Sequence, residues 1–295
     1  MKNILITGST GFIGKHFVKE AVKKYKVRCL FSKTKPEFKE NVELVHGNLL
    51  DKNSLIDAAK NIDYVVHLAA AVQSINKNTN YSVNVLGTKN LIEACQLNSV
   101  KKIIHFSSVN ATFKELGIYG NSKLQSEIIV KNSKIPFVII RPAMIYGKGD
   151  KGLTMTYNLL RKHSIIPVIG DAEIRPVYID DIISIIMKVL ESKIALNKTY
   201  YIGGATKLTI KEYMKKIGRL TPGSKKYIKV PAWPFKFIIK VNEALGMHWL
   251  MTHEQYLSMT QKQRALDIGP AEKDLNFKPL DFDTGLKLWI KEVKN

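Results

Sequence analysis

Two side chains four positions apart, Tyr119 and Lys123, could together transfer a proton. On a helix this spacing places both on one face, so the lysine ammonium would lie about one turn from the phenol. A nearby positive charge favours the phenolate and is expected to lower the pKa of Tyr119 from its usual value of about 10. Ser108, the second residue of a Ser-Ser pair upstream, could hold a substrate oxygen while Tyr119 gives or takes its proton. The three side chains predict general acid–base catalysis at a hydroxyl or carbonyl group.

The start of the chain carries three glycines spaced three residues apart, directly after the apolar run Ile4–Ile6. In the segment Thr7–Gly14, Gly8 allows a tight turn, Gly11 lets backbone N–H groups approach a pyrophosphate, and Gly14 lets a helix pack closely on a sheet. The sequence therefore predicts a strand, a dinucleotide-binding turn and a helix. The predicted cofactor-binding residues of this turn are Gly8, Thr10, Gly11, Phe12, Ile13 and Gly14.

Short apolar runs alternate with helical patterns through the first half of the chain. The predicted strands are Ile4–Ile6, Val27–Phe31, Val42–Val45, Tyr64–Leu68, Ile103–Phe106 and Phe137–Ile140. Helical patterns between them include Ser54–Lys60, Val85–Leu97 and Ser122–Lys131. This alternation predicts an α/β fold with a doubly wound parallel sheet of the Rossmann type.

The pattern becomes irregular beyond Gly147, where prolines and glycines interrupt the chain. We expect residues 1–165, joined by 177–200, to form the dinucleotide-binding domain. Residues 166–176 and 201–295 are expected to form a small α+β substrate-binding cap over the carboxyl edge of the sheet.

Composition limits the possible functions without selecting one. The 295 residues carry a formal net charge of +21, from 46 Lys and Arg against 25 Asp and Glu. This charge favours an anionic partner, although a lysine-rich solvated surface is the simpler explanation. No recognised nucleic-acid-binding motif accompanies it, so we expect no nucleic acid partner. The two cysteines lack metal-ligand spacing, so we expect free thiols and no metal site. Because no apolar run approaches the roughly 20 residues of a membrane span, we expect a cytoplasmic protein.

Further segments match, in order, those of one enzyme family. The chain resembles the short-chain dehydrogenase/reductase superfamily, in its extended NAD-dependent epimerase/dehydratase branch. Besides the glycine turn and the Tyr119/Lys123 pair, the resemblance rests on His67–Ala70, Asn84–Leu91, Arg141–Gly147, Arg175–Asp181 and Asp267–Pro279. It implies an NAD(P)-dependent oxidoreductase or epimerase that acts on a nucleotide-sugar or a similar anionic substrate. It also implies a homodimer, formed through the helices Val85–Leu97 and Ser122–Lys131.

The resemblance also implies roles for individual residues. Tyr119 would be the acid/base, Lys123 would bind the ribose hydroxyls and tune Tyr119, and Ser108 would polarise the substrate, with Ser107 as the alternate. Other implied cofactor contacts are Ser32, Lys33, Asn48, Leu49, Leu68, Ala69, Ala70, Pro142 and Ile145. The implied substrate contacts are Ser107, Asn84 and Arg175.

Two of these residues also have a purely structural interpretation. Arg175 could bind a substrate diphosphate, or it could form an ion pair with Asp180 or Asp181. Asn84 could support the catalytic network, or it could be the N-cap of the helix that follows it.

Departures from the family pattern bear on the cofactor and the activity. Asn48 stands where an aspartate usually caps the adenine. The second strand ends in Ser32–Lys35, with no acidic residue to hold a ribose 2′-hydroxyl, which favours NADP over NAD. The interval from Ser108 to Tyr119 is short for a sugar-nucleotide epimerase. Alternatives are therefore a reductase, or a non-catalytic NAD(P)H-binding scaffold or accessory subunit of a larger complex.

One segment has a separate possible role. Tyr227–Lys240 mixes lysines with aromatic and aliphatic residues. It could contact an anionic membrane surface weakly, or it could be a cap helix that buries its aromatic side chains.

Overall fold

The computed structural model describes residues 1–38, 41–72, 77–244, 252–261 and 266–294. The strands in these ranges are β1 (Asn3–Thr7), β2 (Lys26–Phe31), β3 (Glu43–His46), β4 (Tyr64–His67), β5 (Lys102–Phe106), β6 (Phe137–Pro142), β7 (Ile145–Tyr146), β8 (Ile165–Ile169), β9 (Glu173–Ile174), β10 (Val177–Tyr178), β11 (Lys198–Ile202), β12 (Leu208–Thr209) and β13 (Lys226–Val230).

The α-helices in the same ranges are α1 (Phe12–Ala21), α2 (Lys52–Ala58), α3 (Lys77–Asn80), α4 (Gly87–Leu97), α5 (Ile118–Lys131), α6 (Lys151–Lys162), α7 (Ile179–Glu191), α8 (Ile210–Gly218), α9 (Trp233–Ala244), α10 (His253–Thr260), α11 (Gly269–Leu275) and α12 (Phe282–Lys294). A π-helix spans Tyr81–Leu86, and a 3-10 turn spans Val109–Thr112. None of the described helices is long and apolar enough to cross a membrane.

Seven strands form one parallel sheet in the order β11-β6-β5-β4-β1-β2-β3. The strand order reverses between β1 and β4, and open sheets of this kind bind ligands outside the carboxyl ends of the strands at such a point. This topology confirms the predicted doubly wound Rossmann fold.

The central strands are buried on both faces, which explains why the sequence shows continuous apolar runs there. Along β1, Ile4 and Ile6 face one apolar layer, which includes Phe17 of α1. Leu5 faces the other layer, which includes Leu55 of α2. The alternation of side chains along each strand thus divides the core into two layers, each covered by helices.

Two helices begin earlier than predicted because their first turns contain polar residues. Helix α2 begins at Lys52, since the Asp51 side chain caps it by accepting hydrogen bonds from the backbone N–H groups of Asn53 and Ser54. Helix α5 begins at Ile118 and so includes Tyr119.

Small strand pairs and short helices form the cap. Strand β8 pairs in parallel with β13, and β9 pairs antiparallel with β12. The boundary that we expected between residues 200 and 201 falls inside β11, which belongs wholly to the central sheet. Part of the C-terminal segment also packs on this sheet, because the Tyr200 hydroxyl of β11 donates to the Asp274 carboxylate of α11 at 2.8 Å. It was expected in the cap.

The segment Tyr227–Lys240 is divided between β13 and α9. Phe235 and Ile239 pack in an apolar cluster of the cap. Trp233 and Phe237 remain 75% and 69% exposed. The side chain of Lys240 lies outside the described part of the chain.

Candidate active site

The predicted site loops meet at the carboxyl edge of the sheet because the strands before them are parallel. Strand β1 leads into the glycine turn, β4 into Leu68–Ala70, β5 into Ser107 and Ser108, and β6 ends at Pro142. The adjacent β2 leads into Ser32 and Lys33, both of them exposed.

The glycine turn has the geometry that a pyrophosphate requires. Gly8 adopts a φ of +75°, and its carbonyl accepts a hydrogen bond from the Gly11 N–H at 3.0 Å. A Cβ on Gly14 would lie 2.2 Å from the Gly8 carbonyl oxygen, so only glycine lets α1 approach this closely. Gly11 is the N-cap of α1, and neither a side-chain cap nor an acidic residue occupies the first turn. The backbone N–H groups there are thus free of side-chain acceptors and fit a phosphate.

The other cofactor positions line the same edge with different exposure. Asn48 is exposed, and although its Oδ1 accepts a hydrogen bond from the Leu50 N–H at 3.0 Å, its amide NH2 and the second lone pair of Oδ1 are available to an adenine. Leu49 and Pro142 are buried, whereas Ile145 is half-buried. Leu68, Ala69 and Ala70 are also half-buried.

A buried relay of hydrogen bonds fixes the loop after β4. His67 lies between Thr7, with 2.7 Å from Nδ1 to Oγ1, and Thr88, with 3.0 Å from Nε2 to Oγ1. Because the Thr88 hydroxyl donates to the Asn84 carbonyl at 2.6 Å, it accepts from His67, which assigns the proton to Nε2. Burial lowers the pKa of His67 to about 3, so the ring is neutral.

Asn84 does not cap a helix, because it lies inside the π-helix that continues into α4. Its buried amide binds the backbone of Ala71, with Oδ1 accepting from N–H at 2.7 Å and Nδ2 donating to C=O at 3.1 Å. Nδ2 also donates to the Ser122 hydroxyl on α5 at 2.8 Å. Asn84 therefore ties the loop after β4 to the helix of Tyr119, and its side chain is engaged within the protein rather than presented to a substrate.

Ser108 and Tyr119 are brought together by close packing of the 3-10 turn on α5. A Cβ on Gly120 would lie 2.5 Å from the Asn110 carbonyl oxygen, so the glycine allows this contact. Ser108 is the N-cap of the turn, with its hydroxyl accepting from the Asn110 N–H at 3.2 Å. Its hydroxyl also interacts with the phenol of Tyr119.

The pKa of Tyr119 moves in the direction opposite to the prediction. Burial raises the pKa of the phenol to about 12, the Ser108 hydroxyl opposes this rise, and the charge of Glu254 adds to it. Desolvation dominates, since a phenolate is poorly stabilised away from water, and Lys123 is not among the groups that shift this pKa.

Burial disfavours the charged form of Lys123. Its side chain is 2% exposed, and burial lowers its pKa to about 8, with Glu127 acting in the opposite direction. Within the described residues no acceptor takes a hydrogen bond from its ammonium group. Its donors therefore remain available to the hydroxyls of a bound ribose.

Ser107 is not the substrate-binding residue that the resemblance offered as an alternate. It is buried, and its hydroxyl donates to the carboxylate of Glu127. Arg141 holds the same carboxylate with two hydrogen bonds, of 2.8 Å from Nε and 2.6 Å from Nη2. Ser107 thus belongs to a buried ion-pair network beneath Lys123. Glu127 lies four residues after Lys123, a spacing on the same helix that could have indicated this network.

Arg175 forms neither of the expected ion pairs. Its Nε donates to the Gly204 carbonyl at 2.7 Å and its Nη1 to the Leu266 carbonyl at 3.1 Å. Asp181 instead accepts from the Leu280 N–H at 2.9 Å. The remaining nitrogen, Nη2, has no partner among the described residues and could still meet an anionic substrate.

Glu254, a residue of α10, is a contact of the site that sequence reasoning does not identify. Its Oε1 accepts a hydrogen bond from the Tyr119 N–H at 2.7 Å, across 135 positions of sequence. No periodic pattern or motif in the sequence indicates a contact between residues so far apart along the chain.

Comparison with models of protein families identifies the family of this chain. The model of the NAD dependent epimerase/dehydratase family matches residues 4–203. The chain belongs to the NAD-dependent epimerase/dehydratase family. This confirms the predicted family and its class of enzyme.

Two curated relatives within this family group are matched over part of their length. One is the N-acetyl-alpha-D-glucosaminyl-diphospho-ditrans,octacis-undecaprenol 4-epimerase of Escherichia coli O157:H7, 31% identical, with 54% of this chain and 53% of that protein covered. The other is the dTDP-D-glucose 4,6-dehydratase of Dictyostelium discoideum, 30% identical, with 74% of this chain and 62% of that protein covered. The chain thus spans roughly half to two thirds of the length of these relatives.

Solved structures show the same fold. The UDP-glucose 4-epimerase of Thermotoga maritima, solved with UDP-glucose, superposes with a TM-score of 0.77 at 20% identity over 99% of this chain and 98% of that one. A dTDP-glucose 4,6-dehydratase of Streptomyces venezuelae, solved with NAD, gives 0.77 at 21% identity over 99% and 97%.

Proposed function

We propose that this protein is an NAD(P)-dependent oxidoreductase or epimerase that acts on a hydroxyl or carbonyl carbon of a diphosphate-linked sugar. The observation that carries the proposal is the contact between Ser108 and Tyr119 at the carboxyl edge of the sheet, with Lys123 one helical turn along α5 and a glycine turn that fits a pyrophosphate at the same edge. When bound, the nicotinamide cofactor accepts or supplies the hydride. Ser108 holds the substrate oxygen, Tyr119 takes or gives its proton, and Lys123 holds the ribose.

Epimerisation or reduction fits the site better than dehydration. Eliminating water from a sugar needs a further acid or base besides Tyr119. The carboxylates described around this tyrosine are Glu127 and Glu254. Glu127 is held by Arg141 and Ser107, and Glu254 accepts from the Tyr119 N–H. Relatives that act on nucleotide-linked and undecaprenol-linked sugars support either kind of diphosphate carrier.

A direct test is to identify the nucleotide that co-purifies with the protein and then to screen UDP-sugars, dTDP-sugars and a polyprenyl-diphosphate sugar. Turnover is followed by cofactor absorbance for reduction and by product analysis for epimerisation. Tyr119→Phe should lower kcat by about 10²–10⁴-fold with unchanged cofactor affinity. If Tyr119→Phe retained full turnover, the role of the tyrosine would be refuted. Cofactor binding without turnover of any of these sugars would favour the non-catalytic scaffold.

We further propose NADP as the preferred cofactor. Ser32 and Lys33 are exposed directly after β2, where a ribose 2′-substituent would lie, and Ser32–Lys35 contains no carboxylate. The NAD seen in a solved relative is the alternative outcome, and the relative affinities of NADPH and NADH decide between them.

We also propose a homodimer. Exposed Leu97 on α4 and Ile128 on α5 support a homodimer through these helices, which sedimentation equilibrium tests directly.

A weak contact with an anionic membrane surface is a separate proposal. It is supported by exposed Trp233 and Phe237, four residues apart on α9 with Lys236 between them. Co-sedimentation with phosphatidylglycerol vesicles should fall when both aromatic residues are changed to alanine but not for Ile194→Ala, a residue that is 66% exposed elsewhere.

A further inference from the structure

We propose that Glu254, on cap helix α10, is a positioning residue for Tyr119, and that its carboxylate serves as the N-cap that helix α5 lacks. Because this proposal assigns proton transfer to Tyr119, it rests on the proposed function. It adds a dependence of the catalytic tyrosine on the docking of the cap.

Helix α5 has no side-chain cap of its own. Gly117 occupies its N-cap position, and its first turn contains no acidic residue. A capping side chain normally accepts a hydrogen bond from the second or third residue of the helix. Glu254 does this from a distant part of the chain, since Tyr119 is the second residue of α5 and donates its N–H to Oε1 at 2.7 Å.

The same carboxylate also reaches the turn that carries Ser108. Its Oε2 accepts from the Asn110 Nδ2 at 3.4 Å, so one side chain joins the 3-10 turn to α5. Gly117 makes room for it, because a Cβ at this position would lie 2.1 Å from Oε1. The Glu254 carboxylate thus occupies the space that a side chain at position 117 would otherwise fill.

Other contacts hold α10 against the loop between Ser108 and Tyr119. The backbone of Glu115 exchanges two hydrogen bonds with the Gln261 side chain, at 3.1 Å and 2.7 Å. Phe113 packs in one apolar cluster with Tyr256 and Leu257 of α10. Glu254 therefore reaches Tyr119 from an element that is anchored to this loop through the residues that follow it.

The charge of Glu254 acts on Tyr119 without a compensating cation. No ion pair to Glu254 is found in the described part of the chain. The charged or titratable groups with ion pairs on the neighbouring elements are Glu115 in the loop, Lys236 on α9 and His253 on α10. Glu115 forms ion pairs with Lys236 at 3.2 Å and with His253 at 3.7 Å, so these three groups are engaged with one another. The negative charge of Glu254 disfavours a phenolate at Tyr119.

Three variants separate the hydrogen bond from the charge. Glu254→Ala removes both, Glu254→Gln keeps an acceptor and removes the charge, and Gly117→Ala displaces the carboxylate while retaining Glu254. The control is Glu272→Ala, an exposed carboxylate on α11. Hydrogen exchange of the Tyr119 amide is measured on ¹⁵N-tyrosine-labelled full-length protein, with the resonance assigned from Tyr119→Phe. This readout needs no substrate and therefore does not depend on the proposed activity.

Glu254→Ala and Gly117→Ala should each accelerate exchange of the Tyr119 amide by about tenfold or more. Glu254→Gln should fall between these variants and wild type, and Glu272→Ala should match wild type. Unchanged exchange of the Tyr119 amide in both Glu254→Ala and Gly117→Ala would refute the proposal that Glu254 is the N-cap of α5.

Once a substrate is known, a pH profile tests the charge. Glu254→Gln should move the limb of the kcat profile that reports Tyr119 to lower pH. Glu254→Ala should also lower kcat about tenfold at every pH, with the cofactor affinity unchanged within about twofold. Identical profiles for Glu254→Gln and wild type would refute the electrostatic part, whatever the exchange data show.

Discussion

Two sides of the candidate site are built in different ways: the glycine turn Gly8–Gly14 at the sheet edge, here the sheet wall, and Tyr119 with Glu254 of α10, here the cap wall. The sheet wall uses backbone groups and glycines: Gly8 and Gly14 act within seven residues of each other. The cap wall uses side chains from distant positions, such as Glu254, which reaches Tyr119. The comparison teaches that the proposed nucleotide side depends on local sequence, whereas the position of Tyr119, the proposed acid/base, depends on tertiary docking. Substitutions in the two walls should therefore have separable effects on cofactor binding and on turnover.

The largest expected effect comes from breaking the ion pair beneath the sheet wall. Glu127 is fully buried and held by Arg141 and Ser107, so Glu127→Ala leaves the largely buried Arg141 guanidinium without its charged partner and with the Tyr201 hydroxyl as its remaining acceptor. We expect a loss of about 3–5 kcal/mol in the free energy of unfolding, measured by urea denaturation. Lys131→Ala removes only the half-exposed partner at 3.6 Å and should cost less than about 1 kcal/mol. Equal losses in the two variants would contradict this account.

Adding one methyl group to the glycine turn should affect the sheet wall next most strongly. In Gly14→Ala the new Cβ would lie 2.2 Å from the Gly8 carbonyl oxygen, so the backbone must shift. We expect a loss of about 1–3 kcal/mol in stability and much weaker nucleotide binding, measured by calorimetry. The control Gly152→Ala places its Cβ no closer than 3.5 Å to Asp150 and should leave both quantities unchanged. Normal nucleotide affinity in Gly14→Ala would show that the turn does not hold the pyrophosphate.

At neutral pH the buried Lys123 should lower the free energy of unfolding of the protein. Its pKa in the folded protein is about 8, below the usual 10.5, so the unfolded chain binds the proton more tightly. Its unfavourable contribution is complete below about pH 8 and fades as the pH rises towards 10.5. We therefore expect Lys123→Met to raise the free energy of unfolding by about 1–3 kcal/mol at pH 7, with a smaller gain at pH 10.

A pH-independent gain for Lys123→Met would mean that packing, not charge, is responsible. The same variant should bind the cofactor more weakly at pH 7. The stabilisation would then be an example of a site residue that reduces stability for the sake of function.

The smallest effect concerns cofactor choice. Lys33→Glu should weaken NADPH binding about tenfold through loss of a charge-assisted contact and leave NADH binding nearly unchanged. Lys193→Glu is the matched control, because this exposed lysine follows α7 at the other end of the sheet. Equal effects of the two substitutions on NADPH would indicate general electrostatics, and no effect of Lys33→Glu would favour NAD.

The sheet wall could be predicted from the sequence because its signals are local. Apolar runs such as Ile4–Ile6, three spaced glycines and the Tyr119/Lys123 spacing each express a short-range rule of geometry. The environments of these residues could not be predicted, since burial depends on elements that pack from elsewhere. For this reason the predicted sign of the Tyr119 pKa shift is wrong, although the expectation that Tyr119 and Lys123 share a helix is correct.

Residues with two plausible roles show again that local sequence does not predict which groups a side chain contacts. Asn84 precedes a helical pattern and therefore looked like an N-cap, but a π-helix extends the element backwards and turns its amide to Ala71. Arg175 lies near two aspartates in sequence, yet backbone carbonyls of Gly204 and Leu266 hold its guanidinium. Nearness along the chain did not determine the partner in either case.

His67 and Asp181 respond to acid in different pH ranges. Since His67 takes up a proton only near a pH of about 3, mild acidification leaves its ring uncharged. Asp181, whose pKa is raised by burial to about 6, gains its proton well before then. Because the folded state binds this proton more tightly than the unfolded chain does, a fall in pH through about 6 should relieve the cost of burying the Asp181 carboxylate and favour the packed position of the segment at Leu280.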